Sequence, residues 1–134
     1  MDSISVKTSR RMEFIDISGS IRSILEKSSI KDGVLLLYVP HTTAGLTINE
    51  NADPSVKKDM LDTLTRLVPE KGGYTHSEGN SDSHILASLT GNQLFLFVES
   101  GKISIGTWQG IYFCEFDGPR KRKLLYKIIK TNKD

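Results

Sequence analysis

The sequence is poor in cysteine and in long apolar runs, and each shortage excludes a class of protein. The single cysteine, Cys114, excludes an intramolecular disulfide, and its place within Ile111–Phe116 predicts an inert strand residue. No apolar run approaches the roughly 18 residues that a membrane-spanning helix needs. The N-terminus lacks the basic-then-apolar order of a signal peptide. We therefore expect a cytoplasmic protein that has no membrane as a partner.

A strong charge of one sign is also missing. The chain has 18 Lys and Arg against 16 Asp and Glu, a net charge of +2, so nothing global favours nucleic acid as a partner. Basic residues do crowd the C-terminus, from Arg120 to Lys133. Two interpretations remain open there: a phosphate-binding patch, or a solvated edge strand that uses lysine against aggregation. Lys127 and the later lysines favour the edge strand, whereas Arg120 and Arg122, beside a Gly-Pro turn, favour neither.

The length and the hydrophobic pattern predict one domain over residues 1–134. The 134 residues include 37% hydrophobic and 25% charged residues, which is typical of a globular domain. The continuous apolar run 34–39 predicts a strand covered on both faces, and short turns near 100 and 118 imply antiparallel neighbours. We predict an α+β fold, mainly antiparallel and β-sandwich-like, with two to three helices. Strands are expected at 3–7, 11–16, 34–39, 44–48, 93–98, 103–116 and 121–129, and helices after 18, at 53–69 and at 82–89.

Histidine is scarce but concentrated in polar segments. His41 opens His-Thr-Thr-Ala-Gly, and His76 and His84 bracket a polar loop. Imidazole is the commonest metal ligand, and three imidazoles with a water form one standard catalytic zinc arrangement. We therefore predict that the three histidines converge on one metal or proton-transfer site. The alternatives are a solvated loop with Asp82 as a helix N-cap, and a strand-end His41 satisfied by backbone groups.

Two further segments carry candidate functional side chains. Residues 49–53 (Asn-Glu-Asn-Ala-Asp) lie between a predicted strand and a helix N-terminus, where free N–H groups favour anions. Glu50 is the candidate general base, or the carboxylate that orients a metal ligand, whereas Asp53 fits an N-cap. Trp108, beside Gln109 and between two glycines, is either a core residue or a flat wall on which a planar ring stacks.

Four segments together resemble the YjbQ-like family of small proteins, in order and spacing, over nearly the whole chain. They are His41–Pro54, His76–His84, Gly106–Ile111 and Glu115–Arg120. The resemblance implies a β-sandwich-like protomer that assembles as a homotrimer, with a polar pocket around the three histidines near a subunit boundary. Some members are described as secondary thiamine-phosphate synthases, which join a hydroxymethylpyrimidine diphosphate to a thiazole phosphate and release pyrophosphate.

We predict an enzyme that acts on a phosphorylated heterocyclic metabolite, with thiamine-phosphate synthesis as the named reaction. A divalent metal is expected: zinc from the imidazole ligands, or magnesium if a diphosphate is the substrate. A zinc-dependent hydrolase and a non-catalytic trimeric metabolite-binding protein remain open as alternatives. The candidate catalytic residues are His41, Glu50 and Gln109; the candidate metal ligands are His41, His76 and His84; the candidate substrate-binding residues are Thr42, Thr43, Asn49, Asn51, Asn80, Trp108 and Arg120.

Overall fold

A computed structural model describes residues 2–131 and shows two antiparallel sheets with three helices. The first sheet has the strand order β1-β8-β3-β5-β6 and the second has the order β2-β7-β4. The predicted α+β class, mainly antiparallel, is thereby confirmed. The elements are β1 (Asp2–Lys7), β2 (Glu13–Asp16), α1 (Ser18–Ser28), β3 (Gly33–Tyr38), β4 (Ala44–Glu50), α2 (Pro54–Leu67), α3 (Ser81–Thr90), β5 (Gln93–Glu99), β6 (Lys102–Ile103), β7 (Gln109–Glu115) and β8 (Lys121–Lys130).

The strand predicted at 103–116 is in fact two strands in two sheets. β6 pairs with β5 in the first sheet, whereas β7 pairs with both β2 and β4 in the second. The chain changes sheets through residues 104–108, so Gly106 and Trp108 lie in a connecting loop instead of in a strand. The break arises because the two segments pair with different distant strands, and the local hydrophobic pattern does not show which strands a segment pairs with.

The main core lies between the two sheets and α1. Leu35 and Leu37 of β3 face Leu46 of β4 and Phe113 of β7 across this core, and all four are buried. A smaller cluster on the other face of the second sheet packs β2 and β7 against α2 and α3. β7 is therefore the strand covered on both faces, which explains why its residues from Gly110 onward are all buried.

The outward face of the first sheet stays open in a single chain, which corrects the expectation that strand 34–39 is covered on both faces. Leu36 pairs directly with Phe95, and Phe97 lies in edge contact with Phe95 at 5.9 Å between ring centroids. We call this surface the apolar sheet face. Its most exposed large side chains are Leu36, Tyr38, Phe95, Phe97 and Ile129.

α2 begins where the sequence predicts it. The Asp53 carboxylate accepts a hydrogen bond from the Ser55 N–H at 2.9 Å, and Pro54 occupies the first helical turn. None of its residues is fully buried, so α2 lies on the surface of the chain. Within residues 2–131, no helix combines the length and the apolar character needed to cross a membrane.

Candidate functional site

A cavity of about 520 Å³ lies where the chain passes from β3 to β4 beside the second half of α3. Its volume falls in the range of about 300–1,000 Å³ that is usual for small-molecule sites. The lining residues are His41, Thr42, Ala44, His84, Ala87, Ser88, Gly91 and Asn92. Two of the three predicted histidines, His41 and His84, therefore face one cavity.

His76, the remaining histidine, lies next to His84. The rings of His76 and His84 are 5.6 Å apart between centroids and meet edge to face at 84°. His76 is exposed on the loop before α3, and His84 is half-buried in the first turns of that helix. The chain therefore gathers its three histidines on one side of the molecule, two in the cavity wall and one against it.

His41 is fixed by the backbone of β8. The Lys123 N–H donates a hydrogen bond to His41 Nε2 at 2.9 Å, so Nε2 is unprotonated and the ring proton sits on Nδ1. Partial burial and the nearby Arg122 guanidinium lower the pKa of His41, which favours the neutral ring. A neutral imidazole has one nitrogen lone pair, and here the Lys123 N–H uses it. In this rotamer His41 is a hydrogen-bond donor through Nδ1.

A buried ion pair supports the loop that carries His41. Arg122 is 4% exposed and Glu115 is 0% exposed. The Arg122 Nε donates to Glu115 Oε1 at 2.8 Å, and Nη2 donates to the Thr43 carbonyl at 3.2 Å and to Thr43 Oγ1 at 2.8 Å. Burial alone would raise the pKa of Glu115, but hydrogen bonds from Arg122, the Asp117 N–H and Thr8 outweigh it, and the pKa lies below its ordinary value.

Because of this ion pair, Thr43 and Arg122 have structural roles that differ from the predicted ones. Thr43 is predicted to bind substrate, but its side chain is 5% exposed and points into the protein, where it accepts from Arg122. Thr43 therefore positions the loop, while its neighbour Thr42 is exposed in the cavity wall. Arg122 belongs neither to a surface phosphate patch nor to a solvated strand edge. Up to Tyr126, β8 lies between β1 and β3. Beyond Tyr126 it pairs with β3 alone among the described residues, so Lys127 and Lys130 lie exposed on a strand edge. Lys133 lies outside the described residues.

Asn80 and Arg120 meet on one carboxylate. Asn80 Nδ2 donates to Asp117 Oδ2 at 2.8 Å, and Arg120 Nη2 donates to the same oxygen at 3.1 Å. Asn80 precedes α3 by one residue, so this group lies about one turn before His84. Neither side chain lines the cavity itself. Asn80 Oδ1 is buried and has no hydrogen-bond partner among residues 2–131.

The structure does not bring the remaining predicted residues to the histidines of the same chain. Glu50 pairs with Gln109, whereas Ala44 at the cavity pairs with Glu115, six residues away along β4. At about 3.3 Å per residue, the two ends of β4 are about 20 Å apart. Trp108 is 63% exposed at the far end, so it is not a core residue.

The far-end side chains have local partners. The Glu50 carboxylate accepts from the Ala52 N–H at 2.9 Å, and Gln109 Oε1 accepts from the Gly106 N–H at 2.7 Å. Asn51 Nδ2 donates to Asp16 Oδ2 at 3.3 Å, and Asn49 Oδ1 accepts from the next backbone N–H at 2.7 Å. The Asn49 and Glu50 bonds shape the turn between β4 and α2, the Asn51 bond joins that turn to the end of β2, and the Gln109 bond lies in the loop before β7.

The chain on its own does not complete the predicted three-histidine zinc site. No group of three His, Cys, Asp or Glu side chains within residues 2–131 is arranged to hold a metal ion. His76 and His84 are adjacent, but the lone pair of His41 is taken by the Lys123 N–H. A structural or catalytic zinc site needs at least three protein ligands. The two adjacent imidazoles supply two.

The sequence analysis placed His84 in the site but missed the other cavity residues of α3. Ala87 and Ser88 follow His84 at helical spacing on the same face, and Gly91 is the C-cap of the helix. That spacing was present in the sequence and could have identified Ala87 and Ser88. Gly45 brings this face close to β4, because a Cβ there would lie 2.3 Å from Thr90 Oγ1.

Known proteins match this chain along almost its full length. A family model described as UPF0047 protein YjbQ-like matches residues 2–131. The UPF0047 protein of Methanocaldococcus jannaschii is 53% identical over 124 residues, which cover 92% of this chain and 90% of that protein. UPF0047 protein YugU of Bacillus subtilis is 47% identical over 130 residues, which cover 96% and 98%.

Solved structures agree. An uncharacterised conserved protein of Clostridium acetobutylicum superposes with a TM-score of 0.93 at 50% identity, covering 96% of this chain and 100% of that one. A hypothetical protein of Aeropyrum pernix superposes with a TM-score of 0.92 at 33% identity, covering 97% and 98%. The chain belongs to the YjbQ-like (UPF0047) family, a conserved family of uncharacterised function, and the resemblance read from the four sequence segments is confirmed.

Proposed function

We propose that the cavity between His41 and His84 binds a small phosphorylated metabolite and that the protein is an enzyme acting on it. The observation that supports this is the presence of both imidazoles in one cavity, with His76 5.6 Å from His84. Hydroxyl and amide side chains of Thr42, Ser88 and Asn92 complete the polar wall. Imidazole, hydroxyl and amide groups all donate hydrogen bonds, which phosphate oxygens accept.

The specific reaction that we propose is thiamine-phosphate synthesis. In it, the methylene carbon of hydroxymethylpyrimidine diphosphate loses its bond to the diphosphate oxygen and gains a bond to the thiazole nitrogen, and pyrophosphate leaves. Such a displacement needs hydrogen-bond donors on the leaving oxygen, where negative charge develops. His41 would donate from Nδ1, His84 from a ring N–H and Thr42 from its hydroxyl. The Ser88 hydroxyl, which donates to the His84 carbonyl at 3.0 Å, would do so only after releasing that carbonyl.

Assembly as a homotrimer is part of the proposal. Contiguous exposed apolar patches on soluble proteins mark interaction sites. The apolar sheet face is such a patch. At its end, Tyr38 pairs with Gln93, which directly follows the cavity residues Gly91 and Asn92, and Tyr38 precedes His41 by three residues. A second copy on this face would border the cavity. Glu50, Gln109 and Trp108 can act on a substrate held by the histidines only if another copy brings them there.

Zinc enters the proposal only through the His76–His84 pair. A zinc-dependent hydrolase, the first alternative, would require a third ligand from another copy or from His41 after it releases the Lys123 N–H. Zinc titration of the metal-free protein followed by elemental analysis tests this. One equivalent of zinc that His76→Ala abolishes would favour the hydrolase, and less than about a tenth of an equivalent in the intact protein would contradict it.

The experiment for the proposed reaction compares His84→Ala and Ser88→Ala with a matched surface control, Thr63→Ala on α2. Each protein is incubated with hydroxymethylpyrimidine diphosphate and thiazole phosphate, and thiamine phosphate is measured by chromatography. We expect product from the intact protein and from the control, and at least about tenfold less from His84→Ala, as is usual when a positioned proton donor or hydrogen-bond donor is lost.

Product formation that is equal in all four proteins would contradict the proposed site. Thiamine phosphate that binds in calorimetry and depends on His84, with no product at long times, would favour the second alternative, a non-catalytic metabolite-binding protein.

A further inference from the structure

A second cavity lies between α1 and the turn that joins β5 to β6. It measures about 340 Å³ and shares no lining residue with the histidine cavity. This volume is at the small end of the range of ligand sites, about 300–1,000 Å³. Its principal lining side chains are Arg22, Leu25, Glu26, Lys102, Ile103 and Ile105.

The floor of this cavity is apolar. Leu25 belongs to the main core and is 2% exposed, and Ile103 and Ile105 pack against the same core while remaining half-buried. An apolar group placed on these three side chains would lose its contact with water without displacing any protein hydrogen bond. Burial of apolar surface is worth about 25 cal/mol per Å². The floor therefore suits a short hydrocarbon chain.

The mouth of the cavity carries positive charge that no carboxylate in the described chain neutralises by direct contact. Within residues 2–131, neither Arg22 nor Lys102 forms a salt bridge of 4.0 Å or less. Lys31 Nζ adds a third cation, 3.5 Å from the position that a Cβ would take on Gly101, itself a lining residue. Arg22 Nη2 lies 3.9 Å from the position that a Cβ would take on Gly19, which lies about one helical turn before Arg22 in α1.

Three carboxylates lie near these cations. Glu26 lines the cavity, Asp16 is close enough to Arg22 for mutual attraction, and Glu99 is the cross-strand partner of Lys102. The Asp16 carboxylate already accepts hydrogen bonds from the Ser18 N–H at 2.9 Å and from the Asn51 side chain at 3.3 Å. Within residues 2–131, none of these carboxylates lies within 4.0 Å of a side-chain nitrogen of Arg22, Lys31 or Lys102, so those N–H groups can donate to a bound anion. The apolar floor favours a carboxylate with a hydrocarbon tail over inorganic phosphate.

We propose that this cavity binds a small monocarboxylate with an apolar tail. The tail lies on Leu25, Ile103 and Ile105, and the carboxylate lies between the Arg22 guanidinium and the Lys102 ammonium. A guanidinium presents two parallel N–H groups to a carboxylate, which gives the head group a defined orientation. The proposal does not depend on the function of the histidine cavity.

Nuclear magnetic resonance titration of the full chain with hexanoate tests it. We expect hexanoate to shift the methyl signals of Leu25, Ile103 and Ile105, and 1-hexanol, which has the tail without the charge, to bind at least about tenfold more weakly. The double variant Arg22→Gln/Lys102→Gln should weaken hexanoate binding by a similar factor, whereas the control Lys27→Gln, on the same helix outside the cavity, should not.

Both substitutions in the double variant are at exposed positions, so the fold should persist, and Lys102→Gln alone serves if it does not. Shifts confined to the methyl groups of these three residues and sensitive to the double variant support the site. Hexanoate that binds no better than hexanol, or equally well to the double variant, overturns it. Inorganic phosphate that shifts these signals more strongly than hexanoate also overturns the assignment to a carboxylate.

Discussion

Replacing Arg122 with methionine tests the buried ion pair beneath the histidine cavity. The substitution keeps an unbranched side chain in place but leaves the Glu115 carboxylate buried without its cation. The Thr43 carbonyl and hydroxyl oxygens lose the two hydrogen bonds that Arg122 Nη2 donates. Removing one partner of a buried pair typically costs about 3–5 kcal/mol. Because domains of this size are stable by only about 5–15 kcal/mol, we expect a large drop in the free energy of unfolding, measured by urea denaturation.

A double variant separates the ion pair from its packing. In Glu115→Leu/Arg122→Met no charge is left in the core, and the Thr43 carbonyl keeps the Phe116 N–H at 3.1 Å. The Asp117 N–H loses its acceptor on Glu115, and the Thr43 hydroxyl loses its donor on Arg122. We expect this variant to be less stable than the parent by about 1–3 kcal/mol, because both groups are neutral and the Asp117 N–H is only partly buried.

The exposed pair of Arg120 and Asp117 provides the matched control. Arg120→Met should cost about 0–1 kcal/mol, because its side chain is 51% exposed and surface pairs contribute little. If Arg122→Met costs no more than this control, or if the double variant is as unstable as Arg122→Met, the ion pair does not stabilise the fold in this way. Either result would mean that Glu115 is solvated or neutral in the folded protein.

Three other perturbations follow from the structure. The folded-state pKa of Glu115 is lowered, so its contribution to stability is present above its unfolded pKa of about 4.3 and is lost as the pH falls through the folded value. Urea denaturation between pH 3 and 6 should therefore show a steeper fall in the free energy of unfolding with falling pH in the parent than in Glu115→Gln. Gly45→Ala would place a Cβ 2.3 Å from Thr90 Oγ1 and should lower the free energy of unfolding by about 1–3 kcal/mol. Its control, Gly19→Ala, is exposed in α1 and should be neutral or stabilising by up to about 1 kcal/mol. Equal melting temperatures of the two variants would contradict this. Phe95→Glu should convert a trimer into monomers in sedimentation velocity, and a variant that sediments like the parent would exclude the apolar sheet face as the contact.

Local signals predicted the elements that are decided locally. Asp53 and Pro54 specify the start of α2 through one hydrogen bond and one fixed φ angle, and both lie where the sequence indicates. The break between β6 and β7 is different, since it depends on which distant strands each segment pairs with. For the same reason the apolar run in β3 did not reveal that one of its faces is open.

The site divides along the same line. The gathering of the histidines was expected from their polar segments, and the structure places His41 and His84 in one cavity. The burial of Arg122 and Thr43 could not be read from the chain, because an arginine beside a turn is usually exposed. The separation of Glu50 from His41 follows from the length of β4, because residues near opposite ends of one extended strand lie far apart although they are close in sequence.

The hydrogen bond from Lys123 to His41 has a consequence for handling the protein. The donor is a backbone group of β8, so the imidazole keeps its assigned proton only while that strand stays docked. A chain whose β8 has come loose carries a His41 with an ordinary affinity for protons and for stray nickel or zinc. Metal bound through His41 in a stored or heated sample is therefore expected to track the damaged fraction, whereas metal bound by a fresh preparation should depend on His76 and His84.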